Sequence, residues 1–211
     1  MKATAESESS FFDIPKWRAF FLITLVTIFM LIAKKVFLEN DTAAFEILES
    51  RGQMGVFHTL NTLQYVSVPL IYLIKFTVIA FILWVGCFMF GYKVTFGQVW
   101  QVVVISEFIF FIPETIKLLW LLLVESDPDL HQIKAFYPLS LINLTDTDEL
   151  AGKWFYPLKA LNVFEVIYWF LLAAGIHHMA NKRKEIAYAI VFSSYVLMFI
   201  LWLGFFAVVY K

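Results

Sequence analysis

The chain has 211 residues, of which 61% are hydrophobic and 19% are aromatic, and 24 of them are phenylalanines. Soluble domains are only about 45–50% apolar, so this composition excludes an ordinary soluble protein and predicts a membrane protein. The net charge is -1 and no strongly basic face or tail is present, so nucleic acid is not an expected partner.

Five apolar segments are each long enough to cross a bilayer core of about 30 Å at about 1.5 Å per residue. They predict an all-α fold, a polytopic transmembrane helix bundle with five membrane-spanning helices. A polar segment at residues 1–16 precedes a single domain at residues 17–211. The predicted spans are about 17–37, 66–90, 98–124, 155–179 and 186–210.

The second and third predicted spans carry ionisable residues inside apolar sequence. Lys75 lies near mid-depth in the second span, and the third contains Glu107, Glu114 and Lys117. Glu107 and Glu114 are seven residues apart and lie about 20° from one another on a helix, and Lys117 lies about 60° further round, so all three share one face. A charge at the bilayer centre costs several kcal/mol unless it is paired, neutralised or in contact with water. This face therefore needs a polar partner.

Pro113 lies between the two carboxylates of the third span. A proline inside a helix removes one backbone donor and leaves the carbonyl one turn back, near Ile109, without its bond. The sequence therefore predicts a helix kink at Pro113.

The connection from Glu125 to Trp154 has an apolar centre, FYPLSLINL, between acidic stretches, and predicts a lid or a partner surface. The fourth span then carries Glu165 near mid-depth, where Lys75 could pair with it or with Glu107. Two lysines would face three glutamates in this network, so at least one carboxylate is expected to be protonated or exposed to water. Such groups serve either as structural pairs that fix helix register or as a proton or ion path.

The fourth span ends at His177 and His178, and the basic turn with Lys182, Arg183 and Lys184 follows. Adjacent histidines point about 100° apart on a helix, which does not suit a metal site, so no metal is expected. An anionic head group is the expected contact of this basic end. Lys and Arg are nearly balanced between the two sides, seven against six, but the density of this turn predicts a cytoplasmic N-terminus.

Motifs of hydrolases, zinc proteases, nucleotide-binding loops and dinucleotide-binding folds are missing from the sequence. We therefore expect no enzymatic activity and no cofactor.

The run GYKVTFGQVWQVVVISEFIFFIPE and the later run FYPLKALNVFEVIYWFLLAAGIHHMANKRKEIAYAIVFSSYVLMFILWLGFF together resemble the Yip-domain family of five-helix membrane proteins. The resemblance covers roughly residues 91–206. It depends on a glycine-containing turn before the third helix, Asn162 among aromatics, Gly175, the basic turn and a last helix rich in small residues. The Asp-Leu-Tyr-Gly-Pro signature and the long N-terminal region of eukaryotic members are absent. The resemblance to bacterial members implies an integral inner-membrane protein without an established reaction.

The leading hypothesis is a non-enzymatic, multi-pass integral membrane protein that acts as a scaffold or subunit. Its expected partners are the lipid bilayer and another membrane protein or complex, in a bacterial cytoplasmic (inner) membrane. The alternative is a small proton- or ion-responsive transporter or channel subunit that uses the intramembrane Glu and Lys residues. A polar cavity reaching Glu114 would favour transport, whereas a dry paired seam would favour a scaffold.

Overall fold

The computed structural model describes residues 11–39, 54–124, 130–146, 150–180 and 183–210. Helices dominate these residues, which confirms the all-α prediction for this part of the chain. In chain order the helices are α1 (Lys16–Lys34), α2 (Met54–Met89), α3 (Phe96–Ser106), α4 (Phe111–Leu123), α5 (Leu130–Ala135), α6 (Gly152–Ala160), α7 (Val163–Ala180), α8 (Lys184–Val191) and α9 (Leu197–Val209).

Within these described ranges, four helical stretches are long and apolar enough to cross a membrane. They are Lys16–Phe37, Thr62–Met89, Val163–Ala180 and Lys184–Val209. The last of these joins α8 and α9 through a π-helical turn at Phe192–Val196. Large apolar side chains such as Phe21 and Phe88 are exposed on these helices, as expected for surfaces that face lipid.

The third predicted span is not one continuous helix. α3 ends at Ser106, a 3-10 turn occupies Glu107–Phe110, and α4 begins at Phe111. Pro113 is the third residue of α4, in the first turn, where backbone donors have no partner within the helix anyway. The irregular stretch thus comes just before Pro113, and a bend at Pro113 itself stays a prediction.

The fourth predicted span is also interrupted, because α6 ends at Ala160 and α7 begins only at Val163. Asn162 forms an isolated antiparallel bridge with Ser140, and its Oδ1 accepts a hydrogen bond of 2.9 Å from the backbone N–H of Glu165. Asparagine is a favoured cap because the first amides of a helix lack partners. Glu165 therefore lies in the first turn of α7 rather than inside one continuous fourth helix.

Two contacts define one end of the bundle, which we call the N-terminal end. The Tyr92 hydroxyl donates to the Arg183 carbonyl at 3.1 Å, and Gln101 Nε2 donates to the Phe12 carbonyl at 2.7 Å. The segment before α1, the α2–α3 turn and the α7–α8 turn therefore meet here. At the opposite end α6 packs on α9. Because α2 ends at the N-terminal end and α7 begins at the opposite end, the chain passes from one end of the bundle to the other through α3 and α4.

Helix α3 is the centre of the core and packs against α2 and α7. Its residues Val102, Val103 and Ile105 have no exposed surface, as expected for a helix that is apolar all round. Gly175 of α7 lies so close that a Cβ atom there would be 2.4 Å from Val102 Cγ1. The absence of a side chain at Gly175 therefore allows the two helices to approach each other.

Candidate functional site

The structure pairs Lys75 of α2 with Glu107 of the 3-10 turn. Lys75 Nζ donates to Glu107 Oε1 at 2.5 Å. The Glu107 side chain is only 5% exposed, whereas that of Lys75 is 42% exposed. Of the two partners predicted for Lys75, the structure therefore selects Glu107.

Glu165 has different partners. Its Oε1 accepts hydrogen bonds from Trp169 Nε1 at 2.9 Å and from the Tyr195 hydroxyl at 2.8 Å. The residue is 7% exposed, so this carboxyl group is held by neutral donors inside the bundle. The Glu165 carboxyl group is thus held by donors from α7 and the π-helical turn rather than by a lysine.

A cavity of about 430 Å³, which we call the first cavity, gathers four of the five predicted intramembrane polar residues: Lys75, Glu107, Glu114 and Lys117. The three residues that were expected to share one helix face thus line one cavity, although the 3-10 turn separates Glu107 from the other two. The remaining polar side chains of the lining are Thr27, Lys34, Tyr72, Tyr137 and Lys159.

A second cavity of about 800 Å³ lies beside the first and contains the fifth residue, Glu165. Its polar lining also includes Asn162, Tyr168 and Tyr195. Its apolar wall comes from α2 and α9 and consists of Val78, Ile79, Ile82, Met198, Phe199 and Trp202. Four residues line both cavities and form what we call the junction: Lys75, Phe110, Tyr137 and Lys159.

Both interruptions of the helices lie at these cavities. Glu107 and Phe110 of the 3-10 turn line the first cavity, and Asn162 of the second break lines the second cavity. Irregular backbone at membrane depth is tolerated where protein buries it or where it lines a cavity, because its polar groups would otherwise meet hydrocarbon. Both interruptions therefore lie where irregular backbone is tolerated.

Lys159 of the junction makes no ion pair with a carboxylate in the described part of the chain. Its Nζ donates to the Lys134 carbonyl at 2.5 Å and lies 5.9 Å from the centre of the Tyr137 ring. Burial lowers the pKa of Lys159, against the opposing effect of the Glu114 charge. Burial also raises the pKa of Tyr137, so its hydroxyl stays a neutral donor.

Two buried polar atoms beside the cavities have no hydrogen-bond partner among the described residues. They are Glu107 Oε2 and the Tyr168 hydroxyl, and their residues are 4% and 1% exposed. Most buried polar atoms in proteins are bonded, and an unsatisfied one costs about 1–3 kcal/mol. Each atom thus retains hydrogen-bonding capacity, although it has almost no surface accessible to solvent.

The histidines and the basic turn lie at the N-terminal end, away from both cavities. His178 Nε2 lies 3.3 Å from Asp13 Oδ1, and the exposed Arg183 contacts Glu185 at 3.3 Å. His177 and Lys184 share a small pocket of about 50 Å³, while Lys182 lies outside the described residues. Within the described ranges no three His, Cys, Asp or Glu side chains are arranged to hold a metal ion.

Sequence reasoning missed the aromatic and basic residues that complete the site. Tyr168 and Trp169 follow Glu165 by three and four residues, so helical spacing already placed them on its face. Lys159 was also detectable, because it lies inside the predicted fourth span. Tyr137 belongs to the FYPLSLINL run, for which the sequence predicts a lid or a partner surface, and the bridge between Ser140 and Asn162 joins this loop to the second break.

No protein-family model, no curated protein and no solved structure matches this chain.

Proposed function

We propose that this chain is a non-enzymatic, multi-pass membrane protein that binds another membrane component in the two adjoining cavities. The observation that carries this proposal is the junction, where Lys75 and Lys159 line a charged cavity and an apolar one at the same time. Ligand pockets usually have volumes of about 300–1,000 Å³ and combine apolar walls with a few placed polar groups. Both cavities match this description.

We further propose that α3 and α4 together form a fifth, interrupted crossing of the membrane. The supporting observation is that the chain must pass from the N-terminal end, where α2 ends, to the opposite end, where α7 begins. Interrupted helices recur at membrane binding sites, where the broken backbone faces the ligand. The dense basic turn supports a cytoplasmic N-terminus in a bacterial inner membrane, and a five-crossing bundle is also what the Yip-domain resemblance implies.

The binding proposal is tested by filling the second cavity. Val78 lines it and is 53% exposed, so Val78→Trp places an indole in the apolar space. Val85 is the matched control, because it lies seven residues later on nearly the same face of α2 and lines neither cavity. The full-length protein is purified from membranes in mild detergent, and the small molecules that it retains are identified by native mass spectrometry. We expect a retained molecule that Val78→Trp removes and Val85→Trp keeps, and equal retention in both variants would contradict the proposal.

Transport of protons or ions is the second candidate, and Glu114 favours it. Its exposed side chain lines the first cavity beside the Lys75–Glu107 pair, which is the arrangement that proton and ion pathways use. Proteoliposomes with an entrapped pH-sensitive dye test it under an imposed potential. Transport predicts a proton flux that Glu114→Gln abolishes and that the exposed control Glu185→Gln leaves intact, whereas the same leak in protein-free vesicles would exclude it.

A further inference from the structure

We infer that the bound component is a zwitterionic phospholipid, with its phosphate at the junction, one acyl chain in the second cavity and its ammonium group in the first. This inference rests on the proposed function, since it names the ligand of the same two cavities. Three separate features of the lining support it, one for each part of the lipid.

The junction supplies the cations for a phosphate. An ammonium group has three donors, and the described structure accounts for one of them at Lys159, on the Lys134 carbonyl. Lys75 likewise uses one donor on Glu107 while 42% of its side chain stays exposed. Lysine binds phosphate as a point charge, so the site needs proximity more than a fixed geometry. The neutral Tyr137 hydroxyl adds a donor at the same place.

The second cavity supplies the path for an acyl chain. Its apolar wall runs between α2 and α9, and two of its residues, Val78 and Met198, are 53% and 48% exposed. The wall therefore reaches the outer surface of the bundle, where the bilayer would lie. A chain entering from the bilayer stays in contact with apolar side chains as far as Lys75.

The first cavity supplies acceptors for a positively charged head group. The Glu114 side chain is exposed at its lining, and Glu107, which is paired with Lys75, lines the same cavity. A purely anionic lipid would bring no positive charge to these carboxylates. A head group with both a phosphate and a primary ammonium satisfies the lysines and Glu114 together.

Titrations with lipids of identical acyl chains test each part. Full-length protein in mild detergent is titrated with phosphatidylethanolamine, phosphatidylcholine, diacylglycerol or inorganic phosphate, and the complexes are counted by native mass spectrometry. We expect phosphatidylethanolamine to bind about tenfold more tightly than diacylglycerol, as the loss of one charged contact predicts. Phosphatidylcholine, which has no N–H donor, should bind more weakly than phosphatidylethanolamine, and inorganic phosphate alone should not bind.

Variants of α6 link the preference to the junction. Lys159→Met should lower phosphatidylethanolamine affinity to the diacylglycerol level, whereas Lys159→Arg keeps the charge and should retain binding. Lys153→Met is the matched control, since Lys153 is exposed on the same helix and lines neither cavity. Unfolding in detergent checks that each variant is folded.

The outcomes separate the inference from the proposed function. Equal binding of diacylglycerol and phosphatidylethanolamine would overturn the phosphate site and leave the binding proposal standing. Equal binding of phosphatidylcholine would overturn the ammonium site. Binding of inorganic phosphate that depends on Lys159 would replace the lipid by a free anion. If no lipid binds and Val78→Trp also changes nothing, the proposed function itself fails.

Discussion

Replacing Lys75 with methionine removes the counter-charge of Glu107 at nearly constant side-chain volume. The carboxylate left behind is cut off from solvent, because the Glu107 side chain is only 5% exposed. Breaking a fully buried ion pair costs about 3–5 kcal/mol, but the Lys75 side chain is 42% exposed, so screening lowers our expectation to about 2 kcal/mol. The opposite change, Glu107→Gln, leaves the Lys75 ammonium group without its partner, but this group already faces the cavities. We therefore expect Glu107→Gln to lower the free energy of unfolding by about 1 kcal/mol or less.

The double variant loses both charges and should recover much of the stability. We expect a coupling free energy of about 1–2 kcal/mol, above the average of about 0.6 kcal/mol for polar contacts in membrane bundles. The measurement is a double-mutant cycle on reversible unfolding of the full-length protein in detergent, followed by tryptophan fluorescence. A second cycle pairs Lys75→Met with Glu185→Gln, a change at the exposed N-terminal end, and should show no coupling. Additive effects of Lys75→Met and Glu107→Gln, or a larger cost for Glu107→Gln, would refute the asymmetric buried pair.

Two further changes test the packing and the second break. Gly175→Ala should destabilise the protein by about 1–3 kcal/mol, because its Cβ would lie 2.4 Å from Val102 Cγ1. The control is Gly204→Ala, whose Cβ meets nothing within 4 Å, and it should be neutral or slightly stabilising. Equal unfolding midpoints for the two variants would contradict the close approach of α7 and α3. Asn162→Ala should cost about 1 kcal/mol by removing the cap on the Glu165 amide, and retention of full stability in the same unfolding assay would show that the cap does not stabilise α7.

Three candidate membrane spans could be predicted closely because length and hydropathy alone define them. The first, second and last predicted segments differ from Lys16–Phe37, Thr62–Met89 and Lys184–Val209 by at most four residues at either end. A long apolar run between polar connections has one stable arrangement in a bilayer, a helix with all its backbone bonds internal. The positions of these helices can therefore be read from the sequence itself.

The second helix break could not be predicted because the apolar pattern continues through it, whereas Pro113 indicated the neighbourhood of the first, whose 3-10 turn contains Ile109. The second break depends on Ser140, which bridges Asn162 from a separate segment, and the first allows Glu107 to reach Lys75. These are tertiary contacts, and the hydropathy averaged over neighbouring residues in the sequence does not indicate them. The second break is also why Glu165 lies in the first turn of α7 rather than inside a continuous helix.

Part of the site could be predicted because charges are rare inside apolar segments. Lys75, Glu107 and Glu114 stand out for that reason, and all three line the first cavity. Tyrosines do not stand out, because they are common in membrane helices as interface and packing residues. The roles of Tyr137 and Tyr168 depend on which side chains approach them in the folded bundle, and only the three-dimensional arrangement supplies this.

Two glycines, Gly175 and Gly86, lie where neighbouring helices approach each other closely. A Cβ at Gly175 would meet Val102, and one at Gly86 would lie 2.8 Å from Ser194 Oγ, so α7 is held against α3 and α2 against the π-helical turn. Both glycines lie close to the N-terminal end, whereas both helix breaks lie at the cavities. For the proposed ligand, we therefore expect the helices to separate at the cavities and to stay together at the two glycine contacts. Enlarging either glycine should then change the rate at which the ligand enters and leaves, while the side chains that contact it stay the same.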